Sequence, residues 1–365
     1  MIAKQIRMKL RTSQLRMAAI AAMLACLALS GCSSGSSSNS SHLAYVATSS
    51  GIFAYRISNT GVPTTVFSAP FMLGRSPSSI LIAPSGLGYV ADSLDNTISR
   101  VQIDSSSGAL SEVLPRTTIA GSAPSAMVMD SSGGFLYVAN QGSNDVESYS
   151  VGSDGTLTFA SSATVGSSPS GLVLSSSGNL LFVTVPNFSS IYAFTVSSGT
   201  LTPIAGSPYH VANGVASVAI NPSATFLYAP DFAANTVSGF SILPGGVLSA
   251  LQKSPYGDTT TPLKNPVASV VDPTGKFLYV ANFTSTTISI FDISSTGDLT
   301  PKSGTSGSAG TNPFFFTIDT SGKYMYVGNE GSKSITEFTL NSDGTLTSTN
   351  TIQVGAVPRS IAFTK

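Results

Sequence analysis

The final eight residues, 358–365, complete a repeat unit whose other parts open the repeat region at residues 42–48. Between these ends one pattern recurs about every 46 residues. A proline opens a short apolar run and a glycine nine residues later turns it, from Pro77 to Gly86, Pro124 to Gly133, Pro169 to Gly178, Pro266 to Gly275 and Pro313 to Gly322. One unit keeps the step with Val215 and Ala224, and Pro358 opens a seventh copy. A second run centres on Tyr45, Tyr89, Tyr137, Phe182, Tyr228, Tyr279 and Tyr326, and a Gly-X-Leu at Gly108, Gly155, Gly199, Gly246, Gly297 and Gly344 announces a fourth. The runs are short, rich in β-branched and aromatic residues, and bounded by Gly, Pro, Asn or Asp, as strands are. A tandem array that starts mid-unit and supplies the missing strand at its far end closes into a ring. The chain is therefore expected to be all-β, a seven-bladed β-propeller of four-stranded antiparallel blades over residues 42–365. In the closing blade the N-terminal strands pair with the C-terminal one.

Alternation along the first strand assigns its faces. Two residues after the proline position stand Ser79, Ala126, Gly171, Ser217, Ala268, Phe315 and Ser360, six of them small. Five residues after it stand Ile82, Met129, Leu174, Ile220, Val271, Ile318 and Phe363, all large. The small set suits the crowded axis and the large set the packing between blades. A narrow, uncharged mid-channel follows, so chemistry belongs at a channel mouth. Phe315 breaks the small series, either as a plug or as an apolar floor for a ligand.

The first 31 residues read as a secretory signal. Lys4, Arg7, Lys9, Arg11 and Arg16 precede an apolar stretch from Met17 to Ser30, too short for a spanning helix of roughly 20 residues. Leu29-Ser30-Gly31-Cys32 resembles the lipobox of bacterial lipoproteins, which implies cleavage before Cys32 and lipidation of its thiol. Residues 32–41 then form a lipidated Ser-rich tether unable to bury apolar surface. The resemblance implies a lipid-anchored envelope protein, on the periplasmic face of the outer membrane or the cell surface, touching membrane only through its anchor. Five of the 17 Lys and Arg lie in the signal, leaving 12 against 17 Asp and Glu, a net charge near −5. No basic patch for nucleic acid is supported. The two cysteines, Cys26 and Cys32, both precede the repeats, so the propeller has neither a disulfide nor thiolate metal ligands.

Tyr279-Val-Ala-Asn282, Tyr137-Val-Ala-Asn140 and the Pro-to-Gly turns resemble the lactonase-type seven-bladed propellers, which include 6-phosphogluconolactonases and carboxymuconate cyclases, and the YVTN-repeat proteins. The resemblance covers residues 42–365. It implies ligand chemistry on the face that carries the second-to-third-strand turns and the loops between blades. There the second strands end in Thr48, Asp92, Asn140, Val185, Asp231, Asn282 and Asn329. Asp92, Asn140, Asp231, Asn282 and Asn329 are either a ring of ligand-binding groups or caps of their own turns. Arg75 and Lys264 are further ligand-binding candidates; the alternative for an isolated surface arginine is plain solvation.

The family's expected His, Arg and Glu cluster is matched here by elimination with His210, Glu330 and Arg359 as catalytic candidates. His210 has a solvated-loop alternative. No His/Asp/Glu cluster has metal-ligand spacing, and neither a metal nor a cofactor is expected. Two functions follow. One is a monomeric recognition or scaffold module for an envelope protein or glycan. The other is a 6-phosphogluconolactonase-like hydrolase of a small sugar lactone.

Radiolabelled palmitate fed to cells expressing the full chain should label the protein, and Cys32→Ser should abolish the label. Equal labelling of the two would remove the anchor.

Overall fold

The computed structural model describes residues 42–364 apart from 59–61, 119–120, 258–261 and 303–306. The signal, Cys32 and the tether lie outside the described residues. Seven antiparallel sheets form the blades of the ring. They are numbered here by their inner strands: Pro77–Ile82, Pro124–Met129, Gly171–Leu174, Ala219–Ile220, Pro266–Val271, Pro313–Ile318 and Pro358–Phe363. Each inner strand leads outward to a second, a third and a fourth strand. Blades 3 and 5 count five strands because the outer strand is broken, and its second part, Tyr209–His210 or Gly307–Ser308, pairs with the third strand again.

Closure follows the sequence pattern. His42–Thr48 pairs antiparallel with Pro358–Phe363 on one side and with Gly51–Ile57 on the other. Tyr45 stands opposite Ala362, and the backbones of Leu43 and Thr364 add a further bond at 2.9 Å. The ring thus leaves no inner strand without its sheet.

Each blade is built on local chemistry that its sequence states. The turn after the inner strand is pinned by one side chain. In blade 5 Asp272 Oδ1 accepts from the backbone N–H of Lys276 and Phe277, at 2.7 and 2.8 Å, while Gly275 takes the left-handed φ of 74° that the turn needs. Asp130, Asn221 and Asp319 accept in the same way in blades 2, 4 and 6. Second strands such as Phe277–Asn282 are buried on both faces, because blades stack against their neighbours. That is why Leu278-Tyr279-Val280-Ala281 reads as a continuous apolar run rather than an alternation.

Two motifs that look independent in the sequence are partners across the blade boundary. The second-strand tyrosine of one blade donates its hydroxyl to the carbonyl of the Gly-X-Leu glycine in the next. Tyr45 reaches Gly108 at 2.8 Å, Tyr89 Gly155 at 2.8 Å, Tyr228 Gly297 at 2.7 Å and Tyr279 Gly344 at 3.0 Å. Blade 3 has Phe182 and no hydroxyl. At the preceding boundary Ser148 and Ser161 hold the Gly199 carbonyl instead, at 2.5 and 2.9 Å.

The inner strands are laced together as well. Ser78, Ser125 and Ser170 donate to the carbonyls of Pro124, Pro169 and Ala216 in the next blade, at 2.7, 3.0 and 2.9 Å. Ser360 and Ser217, from the small series, accept the N–H of Ile80 and Ser269, at 2.8 and 3.1 Å. Those small residues therefore allow neighbouring inner strands to approach, besides leaving the axis uncrowded. Phe315 fits this geometry through Gly328. It packs into the apolar cluster between blades 6 and 7, and a Cβ on Gly328 would lie 2.0 Å from its ring.

A buried neutral hydrogen bond contributes about 1 kcal/mol. Tyr279→Phe and Tyr228→Phe should each lower the unfolding free energy by about that much in urea denaturation. Unchanged stability in both would show that the hydroxyl links are not stabilising.

Candidate functional site

The turns between second and third strands and the loops between blades share one face, called here the upper face. Its geometry is set by clasps that pass from blade to blade. Asn96, Asn144 and Asn235 occupy left-handed backbone positions in their turns and accept, through Oδ1, the N–H of Ala123, Ser168 and Asn265 in the following blade. The distances are 2.8, 2.8 and 2.7 Å. Ser189 Oγ does the same for Gly214 at 3.0 Å. The residue just before the inner-strand proline is left-handed at Ser76, Ala123, Ser168, Asn265 and Asn312. In these five blades this backbone turns the chain from the loop into the inner strand.

The structure separates the sequence candidates into three groups. The second-strand termini Asp92, Asn140, Asp231, Asn282 and Asn329 are at most 1% exposed, and they do not present their side chains to a ligand. Each is bonded within its own hairpin. Asp92 accepts from Ser99 at 2.6 Å, and Asp231 from Thr236 and Ser238 at 3.0 and 2.9 Å. Asn140 donates to Asp145, Asn282 to Thr287 and Ser289, and Asn329 to Ser334 and Thr336. These contacts reach five and seven residues along the chain, beyond the short turn caps that sequence suggests.

The second group is spent on structure or stands apart. Arg75 bonds Asp95 through its Nε at 2.6 Å and through its backbone N–H at 2.7 Å, fastening the loop to the turn of blade 1. Arg116 also faces Asp95, and it is paired with Glu112. His210 lies in the broken outer strand of blade 3, opposite Ser190 of the third strand, with its Nδ1 3.2 Å from Ser190 Oγ. It is exposed and sits on the outer rim, whereas Arg359 opens the inner strand of blade 7. The expected grouping of His210 with Glu330 and Arg359 is thus not assembled, since outer and inner strands lie at opposite ends of a blade.

The third group shares the upper face. Arg359 is exposed one residue into the inner strand of blade 7. Glu330 is half-buried in the turn of the adjoining blade 6, where its N–H bonds the carbonyl of Asn312 at 2.9 Å. Lys264, exposed, is held by the Asn282 Oδ1 bond to its N–H at 3.1 Å. Glu330, Lys264 and Arg359 make no ion pair with any described residue. The insertion that precedes Lys264 packs along blade 4. Tyr256 bridges Val237 and donates to Asp298 of blade 5 at 2.8 Å, while Asp258 lies outside the described residues.

Beside these groups stands a feature that the sequence reading missed. Phe232 and Phe283 directly follow the buried Asp231 and Asn282, where other blades carry Ser93, Gln141, Pro186 and Glu330. Their rings lie 6.3 Å apart, and Phe283 meets Phe314 edge-on at 6.3 Å. An aromatic residue directly after the terminal Asp or Asn of the second strand is the signal that would have found them. Three surface clefts of about 550, 430 and 460 Å³ lie between blades 3 and 4, 1 and 2, and 4 and 5, on the opposite face beside the first turns. Among the described residues no three His, Cys, Asp or Glu side chains are grouped to hold a metal.

The sequence profile of the seven-bladed β-propeller lactonases matches residues 51–216 and 200–311. Among solved structures, a Bacteroides uniformis protein with a provisional 6-phosphogluconolactonase assignment is 21% identical. It superposes over 89% of this chain and 99% of its own, with a TM-score of 0.76. The periplasmic gluconolactonase of Pseudomonas aeruginosa is 19% identical over 89% of this chain and 99% of its own, with a TM-score of 0.75. At these identities the likeness establishes a shared fold. No curated protein sequence is significantly similar to the chain.

Two of the buried hairpin pins carry a testable electrostatic cost. Burial pushes Asp92 and Asp231 up to about 6, against hydrogen bonds that pull them down. One carboxylate oxygen of each, Oδ1, has no hydrogen-bond partner among the described residues. The folded state therefore holds these protons more tightly than the unfolded chain. Stability from this source is complete below the ordinary carboxylate value near 3.8, and it falls as pH rises from there to about 6. The loss is on the order of 3 kcal/mol per side chain. Blades 2, 5 and 6 carry a neutral asparagine at the same place. Asp92→Asn and Asp231→Asn should each raise the unfolding free energy at pH 8 and flatten its fall between pH 4 and 6. Guanidinium denaturation across that range measures it, and a destabilised pair of variants at pH 8 would overturn the assignment.

Proposed function

The chain belongs to the seven-bladed β-propeller lactonase family, and from that premise we propose that it hydrolyses the ring ester of a sugar lactone at the upper channel mouth. The observation that carries this reading is the family match over most of the propeller, joined to an arginine and a carboxylate on the upper face of adjoining blades, neither with an ion-pair partner among the described residues. A scaffold role draws no comparable support. Anchoring in the envelope through Cys32 belongs to the same proposal and rests on the lipobox resemblance.

In this reading Arg359 supplies the positive charge that a lactone carbonyl needs as it becomes tetrahedral. A guanidinium offers several donors in a fixed plane and keeps its charge at any working pH. Glu330 accepts a proton from the attacking water as the new C–O bond forms. The ring C–O bond then breaks, and the departing oxygen takes the proton back from Glu330, leaving the open hydroxy acid. No covalent enzyme intermediate is involved. His210 faces Ser190 on the outer rim and takes no part.

Hydrolysis of 6-phosphogluconolactone and glucono-δ-lactone by purified residues 33–365, measured over the spontaneous rate, tests the proposal. Arg359→Ala should lower kcat/KM by about 10²-fold or more, in the range seen when one oxyanion donor is lost. His210→Ala should stay within about twofold of wild type, which an active-site histidine would not allow. Absence of turnover on both substrates would sink the hydrolase reading.

A further inference from the structure

The channel mouth is not uniform around its circumference. One residue after the proline position, blades 1, 2 and 3 carry Ser78, Ser125 and Ser170, each hydroxyl committed to a carbonyl of the next inner strand. Blades 4, 5 and 6 carry Ala216, Val267 and Phe314 at that position, and blade 7 carries Arg359. The hydroxyl half of the mouth therefore gives way to an apolar half. Phe232, Phe283 and Phe314 gather over it with Ala216 and Val267, and all three rings are half-buried.

This aromatic surface is held in place by its own backbone. Asn265 donates from its side chain to the carbonyl of Phe232 at 3.1 Å, and Asn312 to that of Phe283 at 2.8 Å. Asn265 Oδ1 also accepts from Thr284 at 2.9 Å, and the Lys264 carbonyl accepts the Thr284 N–H at 3.3 Å. The root of Lys264 thus sits between the two turns that present Phe232 and Phe283. Asn312 in turn precedes Pro313 and Phe314 and accepts the N–H of Glu330. Phenyl rings, Lys264 and Glu330 are consequently fixed on one hydrogen-bonded frame, with Arg359 on the adjoining blade.

Charge picks out the same sector. Lys264, Lys333 and Arg359 follow one another on blades 5, 6 and 7, all exposed and without an ion pair among the described residues, and Glu330 lies in the same turn as Lys333. On blade 1 Arg75 is neutralised by Asp95. A cationic sector on a propeller chain of net charge near −5 attracts anions locally. Flat phenyl faces beside it suit the apolar C–H face of a sugar ring.

We propose that Phe232, Phe283 and Phe314, together with Lys264 and Arg359, form a subsite for a pyranose-like ring bearing a phosphate or carboxylate. The ring lies on the phenyl faces and the anionic group meets the two cations. The proposal rests on the hydrolase reading for the ring shape of its ligand, and it adds selection by charge and by an apolar face.

Stable ring analogues separate the two claims. Binding of glucose 6-phosphate, glucuronate and neutral glucose to residues 33–365 is followed by NMR titration. At least one of the two anionic sugars should bind tenfold more tightly than glucose, and the two arms distinguish phosphate from carboxylate. Phe283→Ala and the exposed Lys264→Gln should each weaken that anionic sugar by about tenfold, with melting temperatures recorded to confirm folding. Equal binding of all three sugars, or anion binding untouched in a folded Lys264→Gln, would overturn the subsite. If the anions bind through Lys264 while no lactone is turned over, the subsite stands and the hydrolase reading falls. If lactones are turned over with Phe283→Ala and Lys264→Gln as active as wild type, the subsite falls and the hydrolase reading stands.

Discussion

The pairing of His42–Thr48 with Pro358–Phe363 is the constraint on which the rest depends. Without it the ring would be an arc with one blade lacking its inner strand and another facing solvent with an apolar sheet face. Exposed edges and faces of that kind invite pairing with other chains. Closure also positions Arg359, which opens the inner strand of blade 7. Structure and candidate chemistry therefore share one short C-terminal segment.

Blade-to-blade links make the closed ring a single cooperative object. The tyrosine hydroxyls, the inner-strand serines and the asparagine clasps all cross blade boundaries, and none of them works inside an isolated unit. Each contributes modestly, since it replaces bonds to water. Their recurrence fixes the rotation between neighbouring blades, and that rotation decides which side chains meet at the mouth. Where the serine series stops, at blades 4 to 6, apolar packing takes over, and the surface changes from hydroxyl-lined to aromatic.

The polar second-strand termini show how a repeat position that looks functional is consumed by folding. A buried hydrogen-bonding side chain at the end of a central strand holds the hairpin that carries the upper face. Asparagine does this without charge, donating to two hydroxyls in blades 5 and 6. Aspartate does it in blades 1 and 4 at the cost of a buried carboxylate, with hydroxyls donating in the other direction. Both residues satisfy the same geometry, so repeat position alone cannot say whether such a side chain serves a ligand or its own turn.

From sequence alone came the seven units, their strand order and the closure, because the Pro-to-Gly step and the tyrosine and Gly-X-Leu markers are local and periodic. The lactonase resemblance and the face bearing Glu330, Lys264 and Arg359 were legible for the same reason: position within a unit fixes the face. What only the tertiary structure decided depends on contacts between residues far apart in the chain. It sent His210 to the outer rim, because a broken outer strand pairs back onto the third. It buried Asp92, Asn140, Asp231, Asn282 and Asn329, because blades stack on both faces of the second strand. It seated Phe315 on Gly328 between two blades, and it brought Phe232, Phe283 and Phe314 together from three different units. A periodic sequence determines what each unit is; the rotation between units determines which of their side chains become neighbours.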